Sequence, residues 1–221
     1  DCWEKEKSIA VLTHEMEFSG APIALYEAVK ILKKVYTAVI VVTMRDGPMV
    51  ESFAQIGVPV FLDPFLWIVT LDDIPWVKKC SLLFLNTNLF YGFFRRNHTR
   101  LPILWWLHEP EMLYRGKFCG KINGYYSDNI HVYAVGEMAA EAFQKQCPHW
   151  PIVKILKLGI EDFRQEPKKI AEDKLIFSVI GMLDPVKGQD IFIDAIHRLS
   201  DTVRKRCEFW MIGRDERTLC R

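Results

Sequence analysis

A chain of 221 residues that is 50% hydrophobic and 26% charged buries a sizeable core, which excludes intrinsic disorder. Its 29 Lys and Arg against 28 Asp and Glu leave a net charge of +1, so no global field draws it onto nucleic acid and any anion site is local. Six cysteines without a CxxC pair exclude a zinc ribbon and a dense disulfide framework, and point to reduced thiols in a cytoplasmic protein.

In chain order, short apolar runs rich in β-branched residues predict strands at 9–12, 38–43, 58–62, 82–86, 103–107, 131–135, 152–156, 175–180 and 209–212, each buried on both faces. Between them lie helical stripes. Leu25, Ala28, Val29 and Leu32 fall at i, i+3, i+4 and i+7, and Phe192, Ala195, Ile196 and Leu199 repeat that spacing. Strands alternating with amphipathic helices make βαβ units, so the fold class is α/β: a Rossmann-like parallel sheet with helices on both faces. Asp63, Asp72, Asp73, Lys78 and Lys79 interrupt the most apolar region, so no run reaches a membrane span, and no signal-peptide pattern opens the chain.

Residues 161–173 (EDFRQEPKKIAED) lack apolar periodicity and read as an interdomain linker. Residues 1–160 then form an N-terminal domain. Residues 174–221 supply one strand, one helix and one more strand, too little to stand alone, and are expected to be the truncated start of a second Rossmann-like domain.

Ligands of open α/β sheets gather at the carboxyl ends of the strands, and four loops there stand out. In the first (HEMEFSGAP, 14–22), Ser19 is an expected N-cap and Gly20 lets backbone approach a ligand. With Ala21, these residues open a helix whose free N–H groups and dipole suit a diphosphate. The same residues also fit an ordinary capped turn, and the GxGxxG pattern of dinucleotide dehydrogenases is absent. In the second (PILWWLHEP, 102–110), His108 and Glu109 end a buried strand, where His108 is expected to hydrogen-bond a substrate hydroxyl or shuttle a proton. No HExxH spacing follows, so no metal is expected. In the third (GMLDPVKGQD, 181–190), Gly181 permits a tight turn, Lys187 supplies a mobile cation and Gly188 opens a helix, a set suited to a leaving diphosphate without a metal. In the fourth (FYGFFRRNHTR, 90–100), Phe90, Phe93, Phe94, Arg95 and Arg96 suggest peripheral contact with the inner face of a membrane, a grip on an acidic acceptor, or a solvated helix end. Asn97-His98-Thr99 matches a glycosylation sequon that a cytoplasmic chain would not use.

Taken in order, these segments resemble the GT-B glycosyltransferases, in particular the retaining group called glycosyltransferase family 4. Ser19-Gly20-Ala21-Pro22 resembles that family's Gly-rich opening turn. Asp46-Gly47-Pro48 with Glu51 and Ile56-Gly57-Val58-Pro59-Val60 resembles its "DG-P-x-E … LGIPV" stretch, and Trp105 through Glu109 its apolar strand ending in His-Glu. Val135-Gly136-Glu137 is similar to its "VSE" helix start, Leu158-Gly159-Ile160-Glu161 to the turn leaving the first domain, and the 181–190 loop to "GR…KG.D".

The resemblance implies two Rossmann-like domains, with a glycan or lipid-linked acceptor on the first and a nucleotide-sugar on the second. It implies that Gly20 lets the first helix approach the donor, that His108 touches the transferred sugar and that Lys187 neutralises the departing diphosphate, with retention of configuration and no metal or other cofactor. Met182 stands where the family has Arg, and the resemblance implies that the family's Glu-x7-Glu carboxylates would be expected beyond residue 221. The complete protein is therefore expected to be a retaining hexosyl-type transferase and these residues alone inactive. A non-catalytic glycan- or partner-binding module and a sugar-nucleotide epimerase on the same scaffold remain as alternatives.

Overall fold

A computed structural model describes residues 8–66, 74, 77–95, 99–114, 123–160, 174–184 and 187–213. The chain divides into two compact units, Asp1–Glu161 and Asp162–Arg221. The expected linker 161–173 lies outside the described residues, as do Arg96 and the Asn97 sequon residue.

The first unit is a seven-stranded parallel sheet in the order β3-β2-β1-β4-β5-β6-β7. Its central strands are β1 (Ser8–Thr13), β2 (Ala38–Thr43), β4 (Leu82–Asn86), β5 (Ile103–Leu107) and β6 (Ile130–Ala134). Strand pleating sends alternate side chains to opposite faces. Ala10 and Leu12 of β1 therefore join Leu85, Trp105 and Phe143 in one core, while Ile9 and Val11 join Val41, Phe84 and Trp106 in the other. The neighbours Trp105 and Trp106 serve opposite faces. Helix α1 (Gly20–Leu32) covers the second face with Leu25 and Val29, and α2 (Met49–Gln55) adds Phe53. Helix α3 (Glu137–Gln146) covers the first face with Ala139, Ala142 and Phe143. Apolar residues on both strand faces make both layers necessary, because each face removes its own side chains from water.

The edge strands depart from expectation. β3 is only Val60–Leu62 and β7 only Lys154–Ile155, and neither is buried on both faces. Each has a neighbour on one side only, so Phe61 and Leu62 remain 53% and 55% exposed.

Residues Asn88–Arg95 form a 3-10 helix, and this corrects the expected membrane contact. Phe90, Phe93 and Phe94 are 0%, 1% and 3% exposed. Phe94 packs 4.7 Å from Trp105 and 6.2 Å from Trp150, ring centre to ring centre. Turned into the core, these aromatics offer nothing to a lipid surface. No described helix is long and apolar enough to cross a membrane.

The second unit pairs β8 (Leu175–Ile180) with β9 (Cys207–Ile212) in parallel, joined through α4 (Gln189–His197) and the short α5 (Asp201–Arg204). Phe177 stacks on Phe209 at 5.9 Å, with the Phe192 ring 6.1 Å from Phe209. The expectation that both strands are buried on both faces fails here. Leu175 and Ile180 are 61% and 75% exposed and α4 has no buried residue, because two strands and their helices cannot cover both sheet faces.

Candidate functional site

The loops after β1, β4, β5 and β6 converge on a cavity of about 550 Å³ at the carboxyl end of the first sheet. It brings together Ser19, Gly20, Ala21, His108 and Glu109, with His14, Thr87 and Asn88 beside them. Leu89, Pro110, Leu113, Val135 and Leu158 give it an apolar wall.

Ser19 occupies the N-cap position of α1, but its side chain makes no cap hydrogen bond. The expected side-chain cap is therefore corrected: Ser19 Oγ donates instead to Glu15 Oε1 at 2.9 Å. The hydrogen bond from His14 holds the Glu15 carboxyl below its usual range, and His14 Nε2 lies 3.5 Å from Glu15 Oε1. The first amides of α1 are thus left without a side-chain partner, which is the condition an anion needs at a helix start. A Cβ added at Gly20 would meet nothing within 4 Å, so no protein atom demands glycine there. Gly47 is different. A Cβ on it would lie 2.4 Å from the Met16 carbonyl oxygen, and Met49 N–H donates to that same oxygen at 2.9 Å. The Asp46-Gly47-Pro48 turn thereby braces the loop that carries Gly20.

The His108 ring is held on two sides. Its Nε2 lies 2.8 Å from Asn86 Oδ1, and the Trp106 ring meets it edge-on at 4.5 Å. Burial pushes its pKa down to about 4, helped by the nearby His14, so the ring is neutral at neutral pH. A neutral imidazole of such low basicity suits hydrogen bonding to a substrate hydroxyl better than proton transfer.

Glu109 is 8% exposed, and both carboxylate oxygens are engaged: Oε1 accepts the Asn88 N–H at 3.0 Å and Oε2 the His108 N–H at 3.0 Å. Burial raises its pKa while those amides pull it back. Glu109, the catalytic candidate named with His108, ties the loop after β4 to the loop after β5. Between them Thr87 takes a left-handed φ of 90°, a costly conformation for a β-branched residue. Its carbonyl accepts Trp105 Nε1–H at 2.7 Å and its N–H donates to Trp106 at 2.9 Å, which holds the turn in place.

Gly181, Lys187 and Gly188 lie in the second unit. Gly181 (φ 157°) follows β8 and donates its N–H to Ile212 at 2.9 Å. Gly188 (φ 71°) is the N-cap of α4, and the loop is closed by Gln189 Nε2 donating to the Met182 carbonyl at 2.8 Å. The Lys187 side chain is exposed.

Sequence reasoning missed His14, Asn86 and Thr87. Asn86 had a usable signal: like His108 it is a polar residue ending an otherwise apolar strand, LLFLN.

A family model described as glycosyl-transferase family 4 matches residues 5–162. Among solved structures, HepE of Anabaena with UDP and glucose is similar at a TM-score of 0.71 and 17% identity, over 96% of this chain and 62% of HepE. HepE with UDP-glucose gives 0.70 and 18%, over 94% and 60%. The lipopolysaccharide outer core galactosyltransferase WaaB, apo form, gives 0.56 and 10%, over 93% and 68%. At these identities the likeness establishes the GT-B fold. The chain spans about three fifths of HepE's length. No curated protein matches the sequence.

Proposed function

This chain belongs to glycosyl-transferase family 4, and from that membership we propose that the complete protein moves a sugar from a nucleotide-sugar donor to a glycan or lipid-linked acceptor, retaining anomeric configuration. The observation that carries the reading is the arrangement around one cavity: the open start of α1 at Gly20 and the neutral imidazole of His108 face the same space. HepE, whose structures hold UDP and UDP-glucose, supports a nucleotide-sugar donor.

In this reading the α1 amides bind negative charge on the donor, and His108 orients the transferred sugar through a hydroxyl. Lys187 and the start of α4 at Gly188 neutralise the leaving diphosphate, so that no metal or other cofactor is required. Met182 in place of the family's Arg leaves Lys187 with more of that task. The apolar wall formed by Leu89, Pro110, Leu113 and Leu158 fits the lipid-linked class of acceptor, since Leu89 and Leu113 are 49% and 58% exposed beside the polar groups.

Residues 1–221 alone are proposed to be inactive, because the unit carrying Lys187 leaves both faces of its two-stranded sheet half open. Incubating the complete protein and this chain separately with a nucleotide-sugar panel and lipid-linked acceptors tests the proposal. Glycoside is expected from the complete protein alone. A free epimerised sugar nucleotide, or binding without turnover, would replace the transferase reading.

A further inference from the structure

We propose that Asn86 is a positioning residue whose amide fixes His108 with its hydrogen on Nε2 and fastens that ring to the first turn of α1. Asn86 ends β4, is 0% exposed, and contacts both Ala21 and His108, which line the cavity. Its Nδ2 lies 3.2 Å from the Ala21 carbonyl and 3.4 Å from Thr13 Oγ1. A backbone carbonyl only accepts, so the amide is oriented with nitrogen toward α1 and oxygen toward His108. That oxygen can only accept in turn, so at 2.8 Å the His108 Nε2 is the donor.

The ring's other nitrogen, Nδ1, then carries the lone pair. The titratable groups near the ring are His14, from the loop after β1, and Glu109, whose oxygens are taken by backbone amides. Trp106 and the amide of Asn86 are uncharged, so no carboxylate pairs with the imidazole among the described residues. If the transferase reading holds, as this consequence requires, Nδ1 accepts a hydrogen bond from a hydroxyl of the transferred sugar. A deoxy donor lacking that hydroxyl would leave a buried acceptor unpaired and be disfavoured. The Ala21 contact does a second thing: it sets the distance between the α1 start and His108, so that both meet one donor at once.

The experiment is long-range ¹H–¹⁵N NMR of the histidines in the 221-residue chain, with His108 assigned by its loss in His108→Gln. Wild type is expected to show a protonated Nε2 and an unprotonated Nδ1. Asn86→Leu should give a mixture of tautomers, and Asn86→Asp should raise the His108 titration midpoint by two units or more, since a carboxylate would then face Nε2. An Nδ1–H tautomer in wild type, or an unaltered His108 in either folded variant, overturns the assignment. Should both variants fail to fold, the wild-type tautomer alone decides. The measurement uses no substrate, so its failure is distinct from that of the transferase reading, which falls only if the complete protein transfers no sugar.

Discussion

Glu109 Oε1 accepts the backbone N–H of Asn88 at 3.0 Å, so one buried carboxylate pins the end of β5 to the loop leaving β4. Its second oxygen holds the His108 amide at 3.0 Å. Glutamine has one acceptor oxygen, and its NH₂ would confront an amide donor. Glu109→Gln is therefore expected to cost roughly 1–3 kcal/mol in urea unfolding. A change below about 0.5 kcal/mol, the range of an ordinary surface substitution, would contradict this bracing role.

Gly20 and Gly47 should separate under the same substitution. Gly47→Ala drives a Cβ to within 2.4 Å of the Met16 carbonyl and must displace backbone, so a clear fall in Tm is expected. Gly20→Ala meets nothing within 4 Å and should leave Tm unchanged or slightly raised. In the complete protein, however, Gly20→Ala should raise the donor KM. Equal Tm effects at both sites would show that the two loops are misassigned.

Phe94 distinguishes core from membrane surface. Packed among Phe93, Trp105 and Trp150, it should cost about 3–5 kcal/mol when changed to Ala. Vesicle co-sedimentation should be the same for a folded Phe94→Leu variant and wild type. A fully stable Phe94→Ala chain would return these aromatics to the surface.

His108 also sets a pH dependence. Its folded pKa of about 4 lies below its ordinary value of 6.5, so between those values the unfolded chain binds a proton that the folded chain does not. Stability from this neutral ring is full above pH 6.5 and is lost as pH falls toward 4. Between pH 7.5 and 4.5 wild type should lose on the order of 2 kcal/mol more than His108→Gln in urea unfolding. Parallel pH curves for the two would remove His108 from the buried, neutral state described above.

The central strands were readable because apolar runs such as IAVL and LLFLN have no other way to leave water. The edges were not. Whether residues 58–62 pair along their whole length depends on having one neighbour or two, which composition does not encode. The Phe90 to Phe94 segment carried enough aromatics for a lipid surface or a core, and only the 3-10 turn that directs them toward Trp105 and Trp150 decides between the two. That His108 and Gly20 would meet at one cavity was legible, because a residue just after a buried strand and a residue opening the helix after β1 both lie at the carboxyl end of the sheet. The engagement of Glu109 by two backbone amides was not, because those donors come from two loops whose approach is set by tertiary packing. Asn86 was open to the same reasoning that found His108.

The handling of a nucleotide-sugar by His108 and the α1 start in one cavity is the proposal on which the others rest. Its most direct test is glycoside formation by the complete protein from a nucleotide-sugar panel and a lipid-linked acceptor, with wild type and His108→Ala compared side by side. Product with retained anomeric configuration is expected, with a fall of about 10²-fold or more in kcat/KM for His108→Ala. Equal turnover by the variant would contradict it.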